Sequence, residues 1–233
     1  KSGYGLDLPT ERKILEAVRD LQAATPADLV PTFLGAHALP PEARHDREAF
    51  VRSIVEEWVP AVAEAGLARF CDVFCETVAF TRDEAERVLR AGMEHGLKPK
   101  VHADQLSASG GSFLAAEVGA ASADHLDHAP AEALPRMAAA GTVGVLLPGC
   151  MVSLGRTRFP DARPLRAAGM KVAVSTDYNP GSSVTRDLAL MGTFAMSFLG
   201  LALADAWAAV TTCAAAALDL EDRVGRLAPG YQG

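Results

Sequence analysis

A chain of 233 residues, 49% apolar and 22% charged, is long enough to bury a sizeable core as one α/β domain. Its formal net charge of −7 disfavours nucleic acid or an anionic membrane surface as main partner, and its longest apolar run, Leu188 to Ala204, is short of a membrane span and followed by Asp205. Lys1-Ser2-Gly3-Tyr4-Gly5 does not read as a secretory signal, and Cys71, Cys75, Cys150 and Cys213 have neither zinc-finger spacing nor disulfide-scaffold density; a cytoplasmic protein with reduced thiols is expected.

Apolar runs and helical patterns alternate along the chain. Lys1 to Gly5 reads as the tail of a strand entering a loop, and Pro9 to Ala24 as a helix with Ile14, Leu15, Val18 and Leu21 on one face. Thr32 to His37 is strand-like, and the helix after it carries Phe50, Val51, Ile54, Val55 and Trp58. Phe70 to Glu76 is the third predicted strand; its helix opens on Thr81 with Glu84 three residues on, a capping-box pattern, and stops at Gly96. Lys100 to His102, Ser122 to His125, Gly141 to Leu147 and Lys171 to Ser175 complete seven strands, with alanine-rich helical sequence filling most of the remainder.

Such alternation predicts parallel βα units, since parallel neighbours need helical crossovers. A doubly wound sheet alternates too, but it concentrates its site at one switch point. Here reactive residues recur at the C-terminal ends of at least five strands, as a barrel mouth requires. Ser109-Gly110-Gly111-Ser112 lies too far beyond its strand, and lacks the third glycine, for a dinucleotide fingerprint. A closed barrel needs eight strands, one more than the pattern supplies.

Three polar strings carry the chemistry: VHADQ ending at Gln105, SADHLDH around His125, and STDYNPGS from Ser175. Imidazole and carboxylate converging from several strand ends is how a metal-activated water is built on a barrel. Taken singly, the residues have plainer readings. A lone His102 reads as a histidine bonded to a loop, Asp177 as part of an Asp-Tyr-Asn-Pro turn, and Tyr4 as a packed loop aromatic. Asn179-Pro180-Gly181-Ser182 is either a well-made βα turn or a set of N–H and hydroxyl donors for an amide or carboxylate. His128, His45 and His95 read as structural or surface residues, and Cys71 and Cys75, sharing a strand face, as core.

The strings KSGYGLDL (1–8), TFLGAHALPPE (32–42), VHADQLSASGG (101–111), SADHLDH (122–128) and STDYNPGS (175–182) together closely resemble imidazolonepropionases, members of the metal-dependent amidohydrolase superfamily. The resemblance implies an α/β fold, a (β/α)8 TIM-type barrel of the amidohydrolase kind, here with seven strands and without the first strand and the small β domain. Residues 1–227 then supply strands two to eight, and residues 228–233 begin the return into the β domain. It implies ring opening of 4-imidazolone-5-propanoate to N-formimidoyl-L-glutamate in histidine degradation, with zinc or iron holding the nucleophilic water.

On this resemblance His102 and Asp177 ligate the metal, and Asp177 also takes the water's proton. His125 orients the nucleophile or stabilises the oxyanion. Gln105 stands where some members have Glu; an amide cannot shuttle protons, so its implied share in the catalytic set is hydrogen bonding to the substrate ring. Tyr4, His37, Asn179, Gly181 and Ser182 match substrate- or product-binding positions. The family's His-x-His metal pair and a substrate-binding arginine lie upstream, so these 233 residues are expected to hold part of the ligand set. A homodimer acting on a small molecule is implied. The metal constellation alone also fits another cyclic amidohydrolase or a deaminase, and a non-catalytic fragment is a further alternative.

Overall fold

The computed structural model describes residues 1–232. Six short strands form one all-parallel sheet: β1 (Thr32–Ala36), β2 (Phe70–Cys75), β3 (Lys98–Ala103), β4 (Ser122–His125), β5 (Val143–Leu146) and β6 (Val172–Val174). Their spatial order is their order in sequence, so each crossover steps to the next neighbour in one direction, the winding of a barrel rather than of a doubly wound sheet. Among the described residues β6 does not pair with β1, and the barrel is unclosed. Leu34 of β1 and Ser175 just beyond β6 nevertheless line the same cleft, so the sheet curls toward closure.

The helices are α1 (Leu8–Gln22), α2 (Arg47–Ser53), α3 (Val59–Glu64), α4 (Arg82–Glu94), α5 (Gly111–Glu117), α6 (Leu134–Ala140), α7 (Pro148–Ser153), α8 (Ala162–Ala167), α9 (Leu188–Phe198), α10 (Leu203–Val210) and α11 (Thr212–Ala217). The single helix expected after β1 is divided by a π turn over Ile54–Trp58, where the Val59 N–H reaches back to the Ile54 carbonyl. Pro60 cannot donate to the carbonyl one turn before it, and the wider turn absorbs that defect. The capping box of α4 forms as read: Thr81 Oγ1 accepts from the Glu84 N–H at 3.3 Å, and the Glu84 carboxylate accepts from the Thr81 N–H at 2.8 Å.

Lys1 to Gly5, expected as the tail of a strand entering a loop, carries no assigned strand of its own but runs beside β1. Ser2 N–H donates to the Thr32 carbonyl at 3.0 Å and Ser2 Oγ accepts from the Leu34 N–H at 2.9 Å, so the segment lies along the free edge of β1. Gly3 then takes φ +113°, which turns the chain out of extended geometry and ends the pairing.

The two sheet faces differ. Cys71, Val73, Cys75, Val101 and Ala103 point outward into a core with Ile54, Val88, Leu89 and Leu114 from the helices. Both cysteines are thus core residues, as their shared face suggested. The inner face is apolar at Val143, Val145 and Ala173, which pack with Ala216 and Ala217. Across β2, β3 and β4, however, the same face carries the buried polar residues Asp72, Lys100, His102, Ser122 and Asp124. Register sets Asp72 beside Lys100, Lys100 beside Ser122, and His102 beside Asp124.

Lys100 shows how such burial is tolerated. Its ammonium donates to Ser122 Oγ at 2.9 Å and to the Ala217 carbonyl at the end of α11 at 2.5 Å, and it stands 4.4 Å from the centre of the Phe70 ring. Burial pushes its pKa down to about 8 from an ordinary 10.5. Between those values the unfolded chain holds a proton the folded chain lacks, so this group makes stability rise with pH across that window. Urea unfolding from pH 7 to pH 10.5 should therefore show the wild type gaining stability relative to Lys100→Met above about pH 8. Parallel pH courses for the two proteins would contradict this.

Candidate active site

A cleft of about 520 Å³ opens at the C-terminal ends of the strands, and Tyr4, His37, His102, Gln105, His125, Asp177, Asn179, Gly181 and Ser182 all line it. His102 lies near the end of β3, His125 at the end of β4, and Asp177 three residues beyond β6. His125 at φ 76° and Asp177 at φ 49° hold left-handed backbone, as does Asp104 at φ 50°. Such conformations are costly for non-glycine residues and persist where the surrounding fold enforces them, often at functional sites.

The histidine rings converge. The centroids of His102 and His125 are 5.4 Å apart, those of His102 and His37 6.2 Å, and the Tyr4 ring meets His37 edge-on at 5.2 Å. His37 Nδ1 lies 3.1 Å from the Gly3 carbonyl, which only accepts, so Nδ1 carries the proton of the neutral ring and Nε2 is its lone-pair nitrogen. Burial and, after it, His102 press the pKa of His37 down; the same two causes push that of His125 down to about 3, leaving it neutral at neutral pH. Burial raises the pKa of Asp177, with His102 and Lys1 opposing the rise.

Beneath these rings lies a set of side chains that local sequence patterns did not single out. His102 Nδ1 is 3.0 Å from Asp72 Oδ1, the Lys1 ammonium donates to Asp72 Oδ2 at 2.7 Å, and the same ammonium donates to Asp124. Burial alone would raise the pKa of Asp72, but His102 and Lys1 hold it well below the usual carboxylate range. An ionised Asp72 can only accept, so His102 Nδ1 is the donor, and in the neutral ring Nε2 is the lone-pair nitrogen. Among the described residues, one group of acidic and imidazole side chains has ligand atoms mutually within 4.8 Å: Asp72, His102 and Asp124. Asp177 shares the cleft with His102 but does not belong to that group.

Three buried carboxylates shape the rim. Glu11 of α1 accepts from the N–H groups of Gly3 at 2.9 Å and Gly5 at 2.6 Å, and so presents the exposed ring of Tyr4 between them. Asp104 accepts from the N–H groups of Gly110, Gly111 and Ser112 at 3.0–3.2 Å, which closes the Ser-Gly-Gly-Ser stretch upon itself. Glu76 accepts from the N–H groups of Leu106 and Ser107, each at 2.8 Å, and anchors the loop that carries Gln105. The Gln105 amide points toward Cys150, with Nε2 3.9 Å from Sγ.

The Asn179 turn is likewise self-satisfied. Its Oδ1 accepts from the N–H groups of Gly181 and Ser182, each at 2.8 Å, and its Nδ2 donates to the Asp177 carbonyl at 2.6 Å. The donors expected to meet a ligand are engaged within the turn, whose first task is to fix Asp177. His45, His95 and His128 are exposed, as their surroundings suggested.

Replacing Glu76 by Ala strips several hydrogen bonds from one buried carboxylate and should cost about 2–3 kcal/mol. Amide exchange should accelerate at Leu106 and Ser107 while Gly111 and Ser112, held by Asp104, stay protected. Unchanged exchange at Leu106 and Ser107 would contradict the assigned anchoring.

Residues 74–233 match the model of the amidohydrolase family. The chain is 51% identical over 230 residues to an imidazolonepropionase of Geobacillus kaustophilus (strain HTA426), covering 99% of this chain and 54% of that relative. It is 49% identical over 233 residues to an imidazolonepropionase of Myxococcus xanthus (strain DK1622), covering 100% of this chain and 55% of that relative. The chain thus spans about half the length of the curated relatives it matches. Similar solved structures include an adenosine deaminase from Xanthomonas campestris with bound zinc, with TM-score 0.60, 20% identity and coverage of 80% of this chain and 47% of that one. Another is a Xaa-Pro dipeptidase with bound methionine, with TM-score 0.62, 17% identity and coverage of 94% and 64%. At these identities the structural likeness is one of fold.

Proposed function

The chain belongs to the amidohydrolase family, and we propose that it forms barrel strands of an enzyme that opens 4-imidazolone-5-propanoate hydrolytically to N-formimidoyl-L-glutamate in histidine degradation. The observation that carries this reading is identity near one half over essentially the whole chain to relatives named imidazolonepropionase. The gathering of nine candidate residues in one cleft supports it.

The donor set fits a zinc or iron ion. His102 presents a lone-pair nitrogen on the side away from Asp72, and Asp177 supplies a carboxylate to the same cleft. These two residues would hold the ion, with further ligands from a strand outside these residues. Such an ion, when bound, lowers the pKa of water toward neutrality and so supplies a nucleophile.

The protein's own residues do the rest. Asp177, a carboxylate in the same cleft, accepts the proton of the attacking water and returns it to the departing ring nitrogen. His125, neutral and buried, stands beside His102, where its ring can stabilise charge developing on the lactam oxygen. Tyr4, His37 and Phe74 form an aromatic wall against which a planar five-membered ring packs, and the Gln105 amide hydrogen-bonds that ring. Asn179, Gly181 and Ser182 border the substrate while keeping Asp177 in place.

Among the described residues no helix is long and apolar enough to cross a membrane; a cytoplasmic location is proposed on the similarity to imidazolonepropionases. We assign it as a homodimer, because α9 and α10 leave apolar surface uncovered, with Leu203 62% and Trp207 64% exposed.

In the full-length protein, Asp177→Asn and His102→Ala should each lower kcat/KM for imidazolonepropionate by at least about 10²–10⁴-fold. Chelation should abolish turnover, and added zinc or iron should restore it. Near-wild-type hydrolysis by either variant would overturn the assignment. Faster turnover of a hydantoin or dihydropyrimidine would transfer the site to another cyclic amide.

A further inference from the structure

We propose that Lys1 is a resident cation that reserves the Nδ1 side of His102 for hydrogen bonding and thereby confines metal binding to the Nε2 side. The proposal rests on the reading that the cleft holds a metal ion, and it concerns Lys1, Asp72 and Asp124, to which no role in that reaction was given above.

His102 has two chemically different sides. Nδ1 faces the buried carboxylate of Asp72 on β2, and with buried Asp124 on β4 the three residues offer ligand atoms within 4.8 Å of one another. Two carboxylates and an imidazole at that separation make a divalent-cation site in their own right. Here the space is taken. The Lys1 ammonium donates to Asp72 Oδ2 at 2.7 Å and to Asp124 Oδ2. The remaining oxygens are used as well: Asp72 Oδ1 accepts from His102 Nδ1 at 3.0 Å and from the Val73 N–H at 2.8 Å, and Asp124 Oδ1 accepts from Ser122 Oγ at 2.8 Å.

Charge explains why the tether matters. With His102 neutral, the two ionised carboxylates and the Lys1 ammonium sum to −1; without that ammonium they carry −2, with Lys100, bonded to Ser122 and Ala217, as the neighbouring cation, and a divalent ion is attracted more strongly. A metal binding Nδ1 would have to displace its proton to solvent, and His102 would lose its hydrogen bond to Asp72. Lys1 forestalls that competition and leaves Nε2 as the ligand atom, with the ring plane set by Asp72. It acts through His102 and is a positioning and specificity residue, reaching the cluster from the segment laid along β1.

The test compares full-length wild type and Lys1→Met, counting zinc per chain by mass spectrometry after equilibration with zinc alone. It also follows the ring nitrogens of His102 by ¹⁵N NMR. Lys1→Met should bind one more zinc per chain than the wild type, and its His102 Nδ1–H signal should disappear on zinc saturation. In the wild type that signal should persist at saturation. A folded Lys1→Met with wild-type stoichiometry and a persistent Nδ1–H overturns the proposal. Should the variant not fold, the wild type decides: an Nε2–H tautomer in the metal-free protein, or loss of Nδ1–H on saturation, overturns it, and persistence supports it. A wild type that binds no zinc or iron removes the proposed metal chemistry, whereas zinc uptake confined to Lys1→Met would still uphold the role of Lys1.

Discussion

Burying charge on the inner face of β2, β3 and β4 is the constraint around which the rest of the structure is arranged. Asp72, Lys100, His102 and Asp124 stand on that face because the parallel register and the two-residue period of a strand put them there. Each ion removed from water costs several kcal/mol unless it is paired and hydrogen-bonded. The fold meets this with two lysines of different character. Lys100, in the middle of β3, leans on Ser122, the Phe70 ring and the end of α11, whereas Lys1 lies between the two aspartates. The first closes the bottom of the sheet against the last helix. The second leaves His102 with one defined tautomer facing the cleft.

Above that layer the rim is organised by the same device in a different setting. Glu11, Glu76 and Asp104 are buried carboxylates whose acceptors are filled by backbone N–H groups of loops, not by cations. Loops built this way are ordered without a hydrophobic core of their own, and they carry Tyr4 and Gln105 to the cleft. The left-handed backbone at His125 and Asp177 belongs to the same arrangement: the strand ends are bent so that these side chains turn into the opening.

The strands and the principal cleft residues were legible because both leave local marks. Apolar runs ending in His or Asp located β3, β4 and β6 together with His102, His125 and Asp177, and Thr81 with Glu84 marked the start of α4. The polar layer left no such mark. Asp72 and His102 are thirty residues apart, and their contact depends on how β2 and β3 are registered, which no window of sequence shows. One local signal was available: Asp72 has the parity of Phe74, opposite to Cys71, Val73 and Cys75, so it had to face inward. Lys1 to Gly5 read as a strand tail entering a loop, and Ser2 does lie on the edge of β1 before Gly3 turns the chain away. The Asn179 turn looked like a ligand cradle, but its polar groups satisfy one another.

His102 is thus expected to meet a metal ion through Nε2 while Asp72 and Lys1 hold its Nδ1 side. Diffraction from crystals of the zinc-loaded full-length protein, with data on both sides of the zinc absorption edge, tests this most directly. An anomalous peak is expected about 2.0–2.1 Å from His102 Nε2 and none between Asp72 and Asp124. A peak bonded to Nδ1, with the Lys1 ammonium displaced from the two carboxylates, would contradict it.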